Sequence, residues 1–191
     1  MGEGRLFLVR HGETAWSLDG RHTGRTDIPL TEKGREEAAA LRPRLSGHRF
    51  GLVLSSPLQR AQETCRLAGF GDQALSRPDL AEWDYGRYDG LTSAQIKAER
   101  PDWWLWRDGG PGGESPAEVG LRVERVIAEA RAARGDVLLF AHGHVLRVLA
   151  ARWLEQPPQA GRFYALDPAA ESILGFEHSD PVILRWNQPP P

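Results

Sequence analysis

The chain has 191 residues, 40% of them hydrophobic and 26% charged, with a net charge of −2. That length and balance fit one folded domain and give no global reason to expect binding to nucleic acid or an anionic membrane. Cys65 is the only cysteine, which excludes an intrachain disulfide and a cysteine metal cluster.

Within Met1–Arg10 the apolar run is too short for a signal peptide, and no stretch approaches the roughly 20 apolar residues of a membrane span. The expected location is therefore the cytoplasm. Arg5–Arg10 reads as a short buried strand ending at His11. Thr31 can cap a helix running to about Leu45. Leu52–Ser55 is a second buried strand, and Ser56-Pro57-Leu58-Gln59 has the form of a capping box with proline at the first helical position. That helix should run to about Ala68 and stop at Gly69. Cys65 lies within it and is expected to pack rather than react. Leu91–Glu99 is a short helix closed by Arg100-Pro101, and Gly109–Gly113 is a flexible glycine-rich loop. Ser115-Pro116-Ala117-Glu118 opens a helix to about Ala133. Val137–Ala141 is a third buried strand ending at His142, with a helix to about Leu154 after it. Ile173–Glu177 and Val182–Trp186 form a hairpin turning at Ser179-Asp180-Pro181. Pro189–Pro191 is a frayed tail, so the domain is expected to span 1–188.

Continuously apolar strands alternating with helices predict an α/β three-layer sandwich, its mainly parallel sheet flanked by helices and finished by a C-terminal antiparallel hairpin. Ligands bind such sheets beyond the carboxyl ends of the strands. His11 and His142 both sit at such ends, and Ser56, which opens the helix before Arg60, follows a third.

Four elements carry chemistry. In Arg10-His11-Gly12-Glu13-Thr14, a histidine on a rigid strand end can act as a nucleophile, with Arg10 supplying charge and Gly12 letting the backbone approach. Arg60 lies in the first turn of a helix, where amides and dipole already favour an anion. In Ala141-His142-Gly143-His144 the first histidine repeats the geometry of His11. No carboxylate lies at ligand spacing, so no metal site is expected, and His144 is expected to stand behind the site. In Ala81-Glu82-Trp83-Asp84-Tyr85-Gly86 either carboxyl suits general acid and base work, and spacing alone does not choose between Glu82 and Asp84. Trp16, Trp83, Trp103, Trp104 and Trp106 fit a pocket mouth or the core. Arg21, His22 and Arg25 are candidates for holding a second anionic group.

Taken together, these elements resemble the histidine phosphatase superfamily, also called phosphoglycerate mutase-like, from about Arg5 to Arg147. The resemblance rests on RHGET at 10–14, SSPLQRAQET at 55–64, Leu80-Ala81-Glu82 with Gly86 and Asp89-Gly90-Leu91, Gly113-Glu114-Ser115, and Ala141-His142-Gly143. It selects Glu82 over Asp84. It implies that His11 becomes phosphohistidine, that Arg10, Arg60 and His142 clamp the phosphoryl group, and that Glu82 serves as acid and then base. Ser17, Thr23, Gly24 and Gly143 are the implied substrate-side positions; many members have asparagine at the place of Ser17 and glutamine or phenylalanine at that of Thr23. The surrounding stretch is similar to the branch holding acid phosphatases and sugar-phosphate phosphatases. The expectation is a phosphatase acting on a small phosphorylated metabolite, with no cofactor and no metal, no nucleic-acid or membrane partner, and room for a homodimer. The alternative is a 2,3-bisphosphoglycerate-dependent mutase, against which stands the short stretch between Glu82 and His142, with little room for a lid. A non-catalytic scaffold is a third reading, but scaffolds on this fold usually lose the nucleophile or an arginine, and here all stand.

Overall fold

The computed structural model describes residues 4–191. The first three residues of Met1–Arg10, and of the expected 1–188 domain, lie outside them. Six strands, β1 (Leu6–Arg10), β2 (Phe50–Ser55), β3 (Leu75–Ser76), β4 (Asp136–Ala141), β5 (Glu171–Glu177) and β6 (Asp180–Gln188), form one sheet in the order β3-β2-β4-β1-β5-β6. β1, β2, β3 and β4 run parallel, while β5 and β6 add an antiparallel edge.

The apolar runs explain the layering. Along β1, Leu6 and Leu8 point into one layer, and Phe7 and Val9 into the other. The first layer is filled from α7 (Pro116–Ala132) and α8 (Gly143–Trp153), by Val123, Leu146 and Leu149 among others. The second is filled by Leu41, Leu45 and Cys65, from the stretch holding α2 (Glu32–Ala40), α3 (Arg42–Ser46) and α4 (Gln59–Leu67). Each fully buried aliphatic side chain stabilises the fold by roughly 1.5–3 kcal/mol, so a strand buried on both faces anchors the centre. Cys65 packs as expected, and burial pushes its thiol up to about 12.

Several local readings change. The helix expected from Thr31 to Leu45 is two helices meeting at Leu41. Pro43 has no N–H to donate, and its ring would clash with the Ala39 carbonyl in a continuous helix. The helix after Ser56 starts three residues later, at Gln59. Its cap comes from far away in sequence: the Gln59 N–H donates to Asp27 Oδ1 at 2.9 Å. The C-terminal hairpin turns at His178-Ser179, and Asp180 and Pro181 belong to β6. Because β6 is an edge strand, the missing N–H of Pro181 costs the ladder little. At the tail, the Pro189 carbonyl accepts a bond from Arg44 Nη1 at 3.0 Å.

Two short helices, α1 (Ala15–Leu18) and α6 (Leu105–Asp108), were not anticipated; α5 (Ser93–Glu99) matches the expected short helix, with Thr92 and Gln95 forming a capping box. The Gly109–Gly113 loop is packed rather than loose. A Cβ on Gly110 would lie 2.0 Å from the Tyr85 carbonyl oxygen, and one on Gly113 2.1 Å from that of Asp84. Only glycine lets this loop lie flat on the segment that carries Glu82.

Candidate active site

The carboxyl ends of β1 and β4 lie side by side, since Arg10 pairs with Ala141. His11 and His142 follow directly, and their rings stand edge to face with centroids 5.2 Å apart. The turn after β1 is tight: a Cβ on Gly12 would lie 2.2 Å from the Gly34 carbonyl oxygen. The Gly12 N–H donates to Thr64 Oγ1 at 3.1 Å, and that hydroxyl donates to the Arg60 carbonyl at 2.7 Å. The loop bearing His11 is thereby tied to α4.

His11 Nδ1–H donates to the Gly12 carbonyl at 2.7 Å. This fixes the ring and leaves Nε2 as its free nitrogen. The residue is only 4% exposed. Burial, reinforced by the Arg10 and Arg60 guanidiniums, holds its pKa well below the ordinary value, so the ring is neutral at physiological pH.

Arg60 Nε donates to His142 Nδ1 at 3.1 Å, which places the His142 proton on Nε2, 2.7 Å from Ser56 Oγ. Arg60 Nη2 donates to the carbonyls of Thr23 and Gly24 and Nη1 to that of Thr26, with Asp27 Oδ1 3.8 Å from Nη1. Burial, more than the neighbouring charges, keeps His142 well below its ordinary pKa.

Glu82 meets the start of α8. Its Oε1 accepts the N–H groups of Trp83 and Val145, both at 2.9 Å, and its Oε2 accepts that of His144 at 3.0 Å. Oε1 has both acceptor positions filled, whereas Oε2 keeps one open.

A cavity of about 190 Å³ opens between these groups. Arg10, His11, Glu82, Ser17, Thr23 and Gly143 line it, as do Arg21, His22, Tyr85, His144, Arg147 and Leu166. Arg60 and His142 do not line it. They stand behind His11, fully buried, so the expected three-residue clamp is divided: Arg10 opens onto the cavity, and the other two are engaged with protein partners. Among the buried side-chain atoms of the described residues, Arg10 Nε is one of two without a partner. Gly24 is also behind the wall, its carbonyl held by Arg60 and its N–H by Asp89 Oδ1 at 2.8 Å. Asp84 is outside the cavity, accepting the Gly86 N–H at 2.9 Å and facing Arg25 at 3.5 Å. Geometry thus separates the two carboxyls that spacing left equivalent. A larger cavity of about 540 Å³ lies at the opposite strand ends, by Leu6 and Val137, with no histidine in its lining.

Two histidines thus stand on adjacent strand ends, with a carboxyl on the amides that open the helix after the second. The model of the histidine phosphatase superfamily, branch 1, matches residues 6–189. The chain belongs to that superfamily. It is 43% identical to an acid phosphatase of Mycobacterium tuberculosis over 183 residues, covering 91% of this chain and 87% of the relative. It is 37% identical to a 2,3-bisphosphoglycerate-dependent phosphoglycerate mutase of Gloeobacter violaceus, covering 75% and 73%. A solved structure of an open reading frame from Mycobacterium tuberculosis superimposes with a TM-score of 0.92 at 40% identity, covering 98% of this chain and 99% of the other.

In this superfamily member the sequence reading missed part of the cavity wall. His144 was expected behind the site; it lines it, and its Nδ1 is hydrogen-bonded to the Tyr85 hydroxyl at 2.6 Å. Arg147 enters one turn later on the same helix. The i, i+3 spacing from His144 is the only sequence signal that could have found it. Three of the tryptophans, Trp83, Trp103 and Trp106, are core residues at 5% exposure or less; Trp16 and Trp104 are not in the cavity lining.

Four of the site histidines have a consequence for stability. Burial holds His11, His142 and His144 well below their ordinary values and pushes His22 down to about 4. The unfolded chain takes up protons near pH 6.5, and the fold does so only at lower pH. This contribution to stability is therefore complete above pH 6.5 and is lost as pH falls toward 4, by up to ~1.4 kcal/mol per pH unit for each histidine. Thermal unfolding followed from pH 7 to pH 4.5 should show a progressively falling Tm. A flat profile would contradict neutral burial of these rings.

Proposed function

We propose that the protein is a phosphatase that hydrolyses small phosphomonoesters through a phosphohistidine on His11. The observation that carries this reading is the His11 ring: neutral, held by the Gly12 carbonyl, with its free nitrogen in a cavity that also holds Glu82. A nucleophile and a proton donor from separate elements face one small space.

In the first step His11 Nε2 attacks phosphorus, the P–O bond to the alcohol breaks, and the leaving oxygen takes a proton from Glu82. In the second, water attacks phosphorus, gives its proton to Glu82, and the P–N bond breaks to release phosphate. The open acceptor position on Glu82 Oε2 is where the travelling proton would sit. Arg10, whose Nε–H is unpartnered, meets the phosphoryl oxygens. Arg60 and His142 support His11 from behind, and Arg60 adds fixed charge; His142 reaches a phosphoryl oxygen only by turning its Nε2–H away from Ser56. Ser17, Thr23 and Gly143 border the alcohol.

Positive charge from arginines replaces the divalent cation of many phosphotransferases. Activity on p-nitrophenyl phosphate should survive excess EDTA, and vanadate should inhibit by imitating five-coordinate phosphorus. Activity lost in EDTA and restored by a divalent ion would overturn the metal-free mechanism. A mutase would instead return the phosphoryl group to its product, so a 2,3-bisphosphoglycerate-stimulated isomerisation of phosphoglycerate exceeding phosphate release would favour that reading.

A further inference from the structure

Glu82 is placed by its backbone as much as by its carboxyl. The segment that carries it follows a 3₁₀ turn at Pro78–Leu80 and has no helix or strand over residues 81–85. No regular ladder of hydrogen bonds fixes its path, so its peptide groups must find partners elsewhere.

Two residues supply them. Arg122, in the second turn of α7 and only 6% exposed, donates from Nη1 to the Asp79 and Ala81 carbonyls, both at 2.7 Å, and from Nη2 to that of Glu82 at 3.2 Å. Its other donors go to Glu114: Nε to Oε1 at 2.7 Å and Nη2 to Oε2 at 3.0 Å. All five guanidinium N–H groups are thereby used. Glu114 closes the other side. Its Oε2 also accepts the Asp84 N–H at 2.9 Å, its own N–H donates to the Asp84 carbonyl at 2.8 Å, and its carbonyl accepts Trp83 Nε1–H at 2.8 Å.

Neither Arg122 nor Glu114 lines the catalytic cavity. A buried ion pair adds little net stability over apolar side chains of similar size, because desolvation offsets the attraction. What this pair supplies is direction: a planar fork with five fixed donors holds the backbone it binds in one path. Glu82 needs that path. Its carboxyl meets the His144 and Val145 amides only when the residue is held at the right distance from α8.

We infer that the buried Arg122–Glu114 pair is a positioning device for Glu82, fixing the path of residues 79–84 so that the open position on Oε2 faces the leaving oxygen. The inference rests on Glu82 acting as the proton donor. A carboxyl displaced by about 1 Å still ionises, but it delivers its proton poorly, at a cost on the order of 10²-fold.

The test reads single-turnover phosphorylation of the enzyme by an alkyl phosphate and by p-nitrophenyl phosphate. Arg122→Lys keeps a charge beside Glu114 but has three donors in place of five and no planar fork. It should slow the alkyl ester by ~10- to 100-fold and the aryl ester by less than ~3-fold, because the aryl oxygen leaves almost unaided. Glu114→Gln keeps an acceptor for the Asp84 N–H but loses the ion pair, and should show the same selective loss. The double variant is the sharpest comparison. With Glu82→Gln in place there is no proton left to position, so adding Arg122→Lys should slow the alkyl ester no further. Equal slowing of both esters, no slowing in either single variant, losses that multiply in the double variant, or failure of both single variants to fold would overturn the positioning role and leave the pair as scaffold. Absence of selective loss in Glu82→Gln itself would overturn the proton-donor reading, and this inference with it.

Discussion

Replacing His11 with alanine should lower turnover of every phosphomonoester by more than ~10⁴-fold, the scale on which a hydrolase loses activity with its covalent nucleophile. No neighbour can take over. His142 has both ring nitrogens engaged, with Arg60 and Ser56, and His144 has its Nδ1 taken by Tyr85. The fold should survive, since the His11 ring gives only one hydrogen bond, and that to the adjacent residue. Circular dichroism of the variant checks this point, and steady-state release of phosphate checks the loss. Activity within tenfold of wild type would remove His11 from the mechanism.

Glu82→Gln should slow phosphorylation of the enzyme by alkyl phosphates by ~10²–10⁴-fold, the usual range of general acid catalysis, and by p-nitrophenyl phosphate far less. A sugar or glycerate alkoxide leaves badly without a proton, whereas p-nitrophenolate leaves almost unaided. Glutamine keeps one carbonyl acceptor, so the bonds from Trp83 and Val145 to Oε1 have a counterpart, but it cannot deliver a proton. The comparison belongs in single-turnover rates. Steady-state turnover of the aryl ester should also fall, with a burst of one nitrophenolate per site, because Glu82 also activates water. Equal slowing of both ester types in Glu82→Gln, with the selective loss appearing in Asp84→Asn, would transfer the acid role to Asp84.

The framework of the fold was legible because its strands are buried on both faces. Such strands have to be continuously apolar, as Leu6–Val9 and Val137–Ala141 are, and the residues after them have to sit at the sheet edge. The helix starts at Thr31 and Ser115, which carry their own caps, were equally visible. The start of α4 was not, because its cap is Asp27, brought from another loop. The site divides in the same way. His11, Arg10 and Glu82 stood in dense local motifs and meet in the cavity. Arg147 and Tyr85 came from spatial convergence, which leaves little trace in local sequence. Arg60 and His142 were found, but their orientation was not: whether a buried arginine faces a ligand or a set of carbonyls depends on where the Thr23–Thr26 backbone runs. The choice between Glu82 and Asp84, open by spacing and made by the resemblance, has its physical counterpart in the third dimension, where the first of them reaches the amides opening α8.

The central claim is a covalent phosphoryl group on His11, and trapping that intermediate tests it most directly. Enzyme mixed with a radiolabelled phosphomonoester and quenched in alkali within the first turnover should retain close to one label per chain. The label should be stable to base, lost in acid and, by peptide mass mapping, carried on His11. Glu82→Gln should hold it longer, because hydrolysis of the intermediate lacks its base. Label on a different residue, or full turnover in a protein that never carries label, would contradict the account.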